Sequence, residues 1–415
     1  MTSDPLILIL GSNTINKGAE AMLRTVMAEL GDRLPGAQFC IGDDRVRQWN
    51  AEGVVAAGVP MVEVPATGSV GRTAAWAQYV LRAPENADYW ERHKVDFRHV
   101  QLVASRVDAA VDVSGFLFSD QRGLSGKRLI PVADALARKR KPLVYLPQAW
   151  GPFEDADVRH VARRAIGPAA LAFARDDVSR EYLEALGLPT RVEQATDIAF
   201  LFTPSDNGPA LLGELGLDVA RPIVALSPNM RVYERTSGEG EDNLYARALL
   251  AVARMLEREG AQIAFVPHEF LPEGTGRPDD RYLCQLLAET LGSKDAVPVL
   301  GDRSAEDLKA IIASCDLMVG SRFHALIAAL SSGVPSVAVS WAHKYPALLG
   351  EFGLEDLAID HSSLTVDALV AAVADVWDRR AELRDHIADR LPDVKRQSAR
   401  AFDLTADVIR RSLEG

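Results

Sequence analysis

Arg322 and His324 are the side chains in this sequence best placed to do chemistry, because they stand two residues apart where an apolar strand gives way to an apolar helix. Positions 316 to 319 read as a short strand, Ala325 to Leu330 as a helix with almost no polar face, and Gly333 and Pro335 close that helix before a strand begins at Val337 to Val339. The turn at Ser321 presents free backbone N–H groups and the positive end of a helix dipole, a setting that favours an anion. Arginine holds carboxylate or phosphate in a fork of donors, and histidine exchanges a proton near neutral pH. Residues two apart on a regular helix point roughly 200° away from each other. Both can face one site only where the chain is still extended at Ser321 or Arg322. An ordinary surface Arg and His is the plain alternative; against it, Phe323, Ala325 and Leu326 are apolar, and an unpaired charge among them is costly.

Further basic and amide groups recur at other strand tips. Leu226 to Arg231 delivers Asn229 and Arg231, Phe265 to Glu269 delivers His268, Phe173 to Asp177 delivers Arg175, and Ser340 to Lys344 delivers Lys344. Several loops converging on positive groups point to an anionic substrate more strongly than any one of them. After the first strand, Gly11 to Glu20 forms a polar turn into a helix, and its Asn13, Asn16, Lys17 and Glu20 suit sugar hydroxyls or an anion, with a plain capped turn as the alternative. It has neither the P-loop spacing nor that of a dinucleotide fingerprint. The rigid run Leu146 to Phe153 presents Gln148 and Trp150, a pairing common at sugars, although a tryptophan in such a turn more often packs into the core. There is no His-Glu-x-x-His, no clustered Cys and His, and no Gly-x-Ser-x-Gly, so neither a metal centre nor a serine nucleophile is expected.

The elements that must position these residues alternate along the chain. Strands are expected at Leu6 to Leu10, Gln38 to Ile41, Ala109 to Val113, Leu143 to Leu146 and Leu171 to Ala174, with helices between, which implies βαβ units and a parallel sheet. The run Phe202 to Pro209 is dense in breakers and reads as a linker. A second series follows: strands at Ile223 to Leu226, Gln262 to Val266 and Val297 to Leu300, and helices at Asp242 to Glu259, Arg281 to Leu291 and Ala305 to Ala313. The expected fold is therefore α/β, with two Rossmann-like domains, residues 1–204 and 205–375, facing a cleft that collects the strand-to-helix loops. A helical tail, 376–415, would pack back on the first domain. The stretch 67–98, with Trp76, Tyr79, Tyr89 and Trp90, reads as an insertion over that cleft.

At 415 residues the chain is long for one core, and its 48% hydrophobic content is ample for two. A net charge of −12 argues against a nucleic-acid partner and would repel anions at long range, so an anion site must be a local basic pocket. Three scattered cysteines, Cys40, Cys284 and Cys315, fit a reducing cytoplasm rather than a disulfide framework. The N-terminal apolar run is too short for a signal peptide, and nothing in the chain approaches a membrane span, which leaves room only for peripheral membrane contact.

In these residues the chain resembles the polysaccharide pyruvyl transferase family. The resemblance lies in Gly320-Ser-Arg-Phe-His324, in Gly333-Val-Pro335 followed by Lys344, in Leu146 to Phe153, in Ala174-Arg175 with Ser179, in Asp197-Ile-Ala-Phe200 and in the turn Gly11 to Glu20, in the family's order over most of the chain. It implies a two-domain fold like that of the GT-B glycosyltransferases. It also implies an enzyme that transfers the enolpyruvyl unit of phosphoenolpyruvate to a sugar of a polysaccharide, glycolipid or lipid-linked precursor as a pyruvate ketal, with no cofactor. By the resemblance Arg322 would bind the donor's carboxylate or phosphate, His324 would be the general acid, and Arg231 a further anion contact. Lys17-Gly18-Ala19-Glu20 and Val113-Ser-Gly-Phe116 depart from the family's usual turns, so acceptor contacts would differ. Glu20, Asp120 and Glu269 stand as candidates for the base. Two other readings fit the same residues: a GT-B glycosyltransferase using a nucleotide sugar, and a non-catalytic sugar-phosphate binding protein.

Overall fold

A computed structural model describes residues 4–41, 97–272, 274–301 and 303–414. The aromatic stretch expected to be an insertion therefore lies, but for its last two residues, outside the described residues. Two compact units divide the chain: one holds 4–14, the described part of 22–198, and 397–414, and the other holds 15–21 and 199–396.

The first unit is built on six parallel strands: β1 (Leu6–Leu10), β2 (Gln38–Ile41), β3 (Ala109–Asp112), β4 (Leu143–Gln148), β5 (Leu171–Ala174) and β6 (Arg191–Gln194). They lie in the order β2-β1-β3-β4-β5-β6. β1, β3, β4 and β5 are apolar almost throughout because helices cover both faces of a parallel sheet. Trp150 closes the core beyond β4, stacked on Phe118 at 5.6 Å and edge-on to Tyr145 at 5.7 Å, while its indole N–H donates to the Phe173 carbonyl at 2.9 Å. The core is its role. The end of the Arg380–Glu414 helix belongs to this unit, through Ser398 at the Asp197 carbonyl (2.9 Å) and Arg400 at Glu193 (2.8 Å).

The second unit repeats the plan with β7 (Ile223–Ser227), β8 (Gln262–Phe265), β9 (Ala296–Pro298), β10 (Leu317–Gly320), β11 (Ser336–Ser340) and β12 (Ala358–Asp360), all parallel, in the order β12-β11-β10-β7-β8-β9. Read from the β9 edge this is the doubly wound order 3-2-1-4-5-6, in which the winding reverses between the first and fourth strands. Here that place is the β7–β10 seam. Helix starts in this unit are fixed by short polar caps: Asn243 accepts from the Tyr245 and Ala246 amides, Asp279 from Arg281, and Ser304 from Asp307. The buried helix Phe323–Leu330 carries Leu326, Ile327 and Leu330, each contributing roughly 1.5–3 kcal/mol of burial. The run 202–209 is fastened to this unit by Ser205, whose amide reaches the Glu306 carbonyl and whose hydroxyl reaches Asp307. Among the described residues no helix is long and apolar enough to cross a membrane.

Candidate active site

The register of the second sheet sets Gly320 of β10 directly beside Ser227 of β7, so the loops that follow these two strands leave the sheet together. A side chain at position 320 would press on Met318 and Ser227, which explains the glycine. Ser321 is then held from three sides: its amide donates to the Ser227 carbonyl (3.1 Å), its own carbonyl accepts from Asn229 Nδ2 (2.7 Å) and from the Tyr345 hydroxyl (2.7 Å), and its hydroxyl accepts from Tyr245 (2.7 Å). The next residue, Arg322, is still extended, at φ −98° and ψ 116°, and the helix starts at Phe323. Arg322 thus lies in extended backbone while His324 lies in the first helical turn, as two residues so spaced need if they are to face one place.

Arg322 is 7% exposed, and its Nη2 bridges Asp280 at 2.5 Å and Glu269 at 2.8 Å. Burial works against its charge, but the two carboxylates outweigh it and hold the guanidinium firmly protonated. Asp280 is the hub. Fully buried, it also accepts from the backbone amides of Met230 (3.3 Å), His268 (3.1 Å) and Glu269 (3.0 Å), so one carboxylate ties together the loops after β7, β8 and β10. Glu269 is partly buried, yet Arg322 and its neighbours Arg277 and Arg231 hold its pKa below the usual carboxylate value. Arg231 starts a short helix capped by Asn229, whose side chain accepts its amide at 2.9 Å. Its guanidinium has no hydrogen bond or ion pair among the described residues. Burial lowers its pKa and the nearby Arg322, Arg235 and Arg277 lower it further, with Glu269 opposing, so it is a cation with donors to spare.

Beside this cluster, residues 15–17 pair with the loop after β8: Asn16 bridges Glu269 in antiparallel fashion, the Lys17 amide donates to the His268 carbonyl (3.0 Å), and the Phe270 amide to Ile15 (2.9 Å). Asn16 caps the Lys17–Arg33 helix through the Gly18 amide at 3.0 Å. Lys17 Nζ lies 3.0 Å from Glu20 and 5.2 Å from the centre of the Phe270 ring. Gly18 faces His324 so closely that a Cβ there would stand 2.1 Å from the imidazole Nδ1. His268 is 5% exposed; burial first, then His324, Arg322 and Lys17, push its pKa down to about 3, so its imidazole is neutral. Lys344 lies over the rings of Trp341 (4.6 Å) and Phe323 (5.0 Å), next to the helix start.

The expected residues thus fall into two groups. Lys17, Glu20, Asn229, Arg231, His268, Ser321, Arg322, His324 and Lys344 all belong to the second unit. Asn13 and Arg175 belong to the first, where Arg175 is engaged with Asp197 at 2.8 Å, both buried. Gln148 donates to the buried Asp112 at 3.1 Å, and Asp120 accepts the Glu154 and Asp155 amides. Sequence reasoning missed Asp280, Tyr245, Tyr345 and Lys309. The pair Asp279-Asp280 ahead of an apolar run is a cap signal that could have pointed to the hub; the tyrosines and Lys309 carry no such mark.

The sequence model of the family described as polysaccharide pyruvyl transferase matches residues 16–343. The amylovoran biosynthesis protein AmsJ of Erwinia amylovora is 25% identical over 313 residues, covering 73% of this chain and 72% of its own. Among solved structures, a putative UDP-N-acetylglucosamine 2-epimerase from Listeria monocytogenes superposes with a TM-score of 0.58 at 12% identity over 96% of this chain and 94% of its own. Anabaena HepE, in complex with UDP and glucose, does so with a TM-score of 0.55 at 16% identity over 97% and 98%. At these identities the structures speak for the fold, two parallel-sheet α/β units of the GT-B type.

Proposed function

The chain belongs to the polysaccharide pyruvyl transferase family, and we propose that it moves the enolpyruvyl group of phosphoenolpyruvate onto a sugar of a polysaccharide or its lipid-linked precursor, forming a pyruvate ketal and releasing phosphate. The observation that carries this reading is the convergence of Arg231, Arg322 and His324 at the switch point of the second sheet in a chain of this family. Arg231, with an uncommitted guanidinium, is the anion contact. Arg322, pinned by Asp280 and Glu269, presents its remaining N–H donors in a fixed direction.

In the reaction His324 gives a proton to C3 of phosphoenolpyruvate, and C2 becomes an oxocarbenium centre. A sugar hydroxyl adds to C2 and loses its proton to a base. The C2–O bond to phosphate then breaks, and a second hydroxyl of the same sugar takes its place, its proton passing to the departing phosphate as the ketal closes. The arginines balance the carboxylate throughout and the phosphate as it leaves. Of the carboxylates considered as base, Glu20 and Glu269 belong to the same unit as the histidine, paired with Lys17 and Arg322, and Asp120 is occupied in the first unit.

The test is to incubate the protein with phosphoenolpyruvate and a panel of acceptor sugars while measuring phosphate release. Acceptor-dependent release with a ketal in the product is the expected result. Absence of release with every acceptor, together with thermal protection by a nucleoside diphosphate and none by phosphoenolpyruvate, would instead identify a nucleotide-sugar enzyme. The cytoplasm, where phosphoenolpyruvate is available, is the compartment this reading requires.

A further inference from the structure

A small cavity, partly open to solvent, lies in the second unit beside His324, and Lys17, His268, Lys309 and His324 line it together with Ala305 and Ala328. Four of its lining residues carry basic nitrogen and none is an aspartate or glutamate. Lys309 comes from the middle of the Ala305–Ala313 helix and is 4% exposed. Its ammonium has three N–H donors. One reaches the Phe202 carbonyl, whose ring lies 5.7 Å away, and no carboxylate answers its charge among the described residues. Burial, with Lys395 adding repulsion, pushes its pKa down to about 7, so the amine is kept there at a cost to stability. In the same cavity lining, His268 Nδ1 is buried and has no hydrogen-bond partner among the described residues. Two buried nitrogen groups from different elements, an ammonium with donors to spare and an imidazole with an unpartnered nitrogen among the described residues, thus line one cavity.

We infer that Lys309 is the anion-holding residue of this cavity and that the ligand is a phosphate-class group, with His268 as a second contact. A phosphate group suits the place because it offers several strong acceptor oxygens to donors that approach from separate directions, and lysine serves it as a point charge. A bound phosphate restores charge balance to the buried ammonium, which the neutral Phe202 carbonyl does not. The site stands on its own geometry; only the identification of its ligand with the phosphate of the donor rests on the function proposed above.

Inorganic phosphate is the first probe, titrated calorimetrically into the wild-type protein, Lys309→Met and Lys309→Arg. Expected are tenfold or weaker binding for Lys309→Met, partial retention for Lys309→Arg, and for turnover a raised KM for phosphoenolpyruvate with kcat changed much less. If Lys309 is only a strut for the Phe202 carbonyl, phosphate affinity stays within twofold of wild type whatever happens to Tm, and the inference is overturned. It is likewise overturned if the wild-type protein binds no phosphate. Should Lys309→Met fail to fold, Ala328→Leu fills the cavity while leaving the Lys309–Phe202 contact intact, and must weaken phosphate equally. Phosphate binding through Lys309 without consumption of phosphoenolpyruvate would retire the proposed reaction and keep this site; turnover with an unchanged KM in Lys309→Met would do the reverse.

Discussion

His324 and Gly18 are fitted to one another, and that contact makes a glycine in the first helical turn a requirement of the site. Gly18→Ala brings a methyl to 2.1 Å from the imidazole and must displace it. Because alanine is the better helix former, the substitution is expected to leave Tm within a few degrees while lowering kcat tenfold or more; near-normal turnover would show that the imidazole has another stable position. His324→Gln, which removes the proposed proton donor, should lower kcat by roughly 10²–10⁴ with circular dichroism unchanged. Asp280→Asn is the contrasting case. It leaves the buried Arg322 with one carboxylate and weakens the anchor of three loops, so a stability loss of about 3–5 kcal/mol is expected in denaturant titration along with lost activity. Arg322 and His324 were legible in the sequence because a polar residue in an apolar strand-to-helix turn stands out. Asp280 was not, since what makes it a hub is the meeting of segments 40 to 50 residues away.

Elements hold these side chains through a few caps. Asn243 accepts the Tyr245 and Ala246 amides of the Leu244–Arg258 helix and donates to the carbonyls of Tyr233, Thr236 and Gly238, and the helix it starts delivers Tyr245 to Ser321. Asn243→Ala therefore removes a cap and strands part-buried carbonyls; a loss of about 2 kcal/mol or more is expected, and a loss under 0.5 kcal/mol would mean water replaces the side chain. In the first unit, β3 ends on Asp112, fully buried, whose pKa burial raises from 3.8 to about 6 against hydrogen bonds from Ser114 and Gln148. The folded protein holds this proton more tightly than the unfolded chain does, so stability falls as pH rises from about 4 to 6 and stays reduced above that. Asp112→Asn should accordingly be more stable than wild type at pH 8, by up to about 3 kcal/mol, and show little difference at pH 4. Most strands were readable as apolar runs, β1, β2 and β5 to the residue, although β2 is itself at an edge. The edge strands β6 and β12 were not, because an edge position leaves Arg191–Gln194 and Ala358–Asp360 partly exposed and without an apolar run.

At the scale of the whole molecule, the two sheets reverse their winding at different seams, β1–β3 in the first unit and β7–β10 in the second, and each seam gathers polar groups at the strand ends. Phosphoenolpyruvate is expected to slow amide exchange in the second unit at 15–21, 228–231, 266–270 and 321–325 and to leave 109–119 of the first unit unaffected. Protection confined to the first unit would move the donor site there. The assignment of residues 15–21 to the second unit has a consequence for how the protein is made. During synthesis Gly18 leaves the ribosome roughly 300 residues ahead of His324, a wait of about 15–60 s at ordinary elongation rates. For that interval the start of the Lys17–Arg33 helix has no partner to close on, and a stall in translation before residue 324 leaves that turn waiting for its histidine and the first unit without its closing segment 397–414.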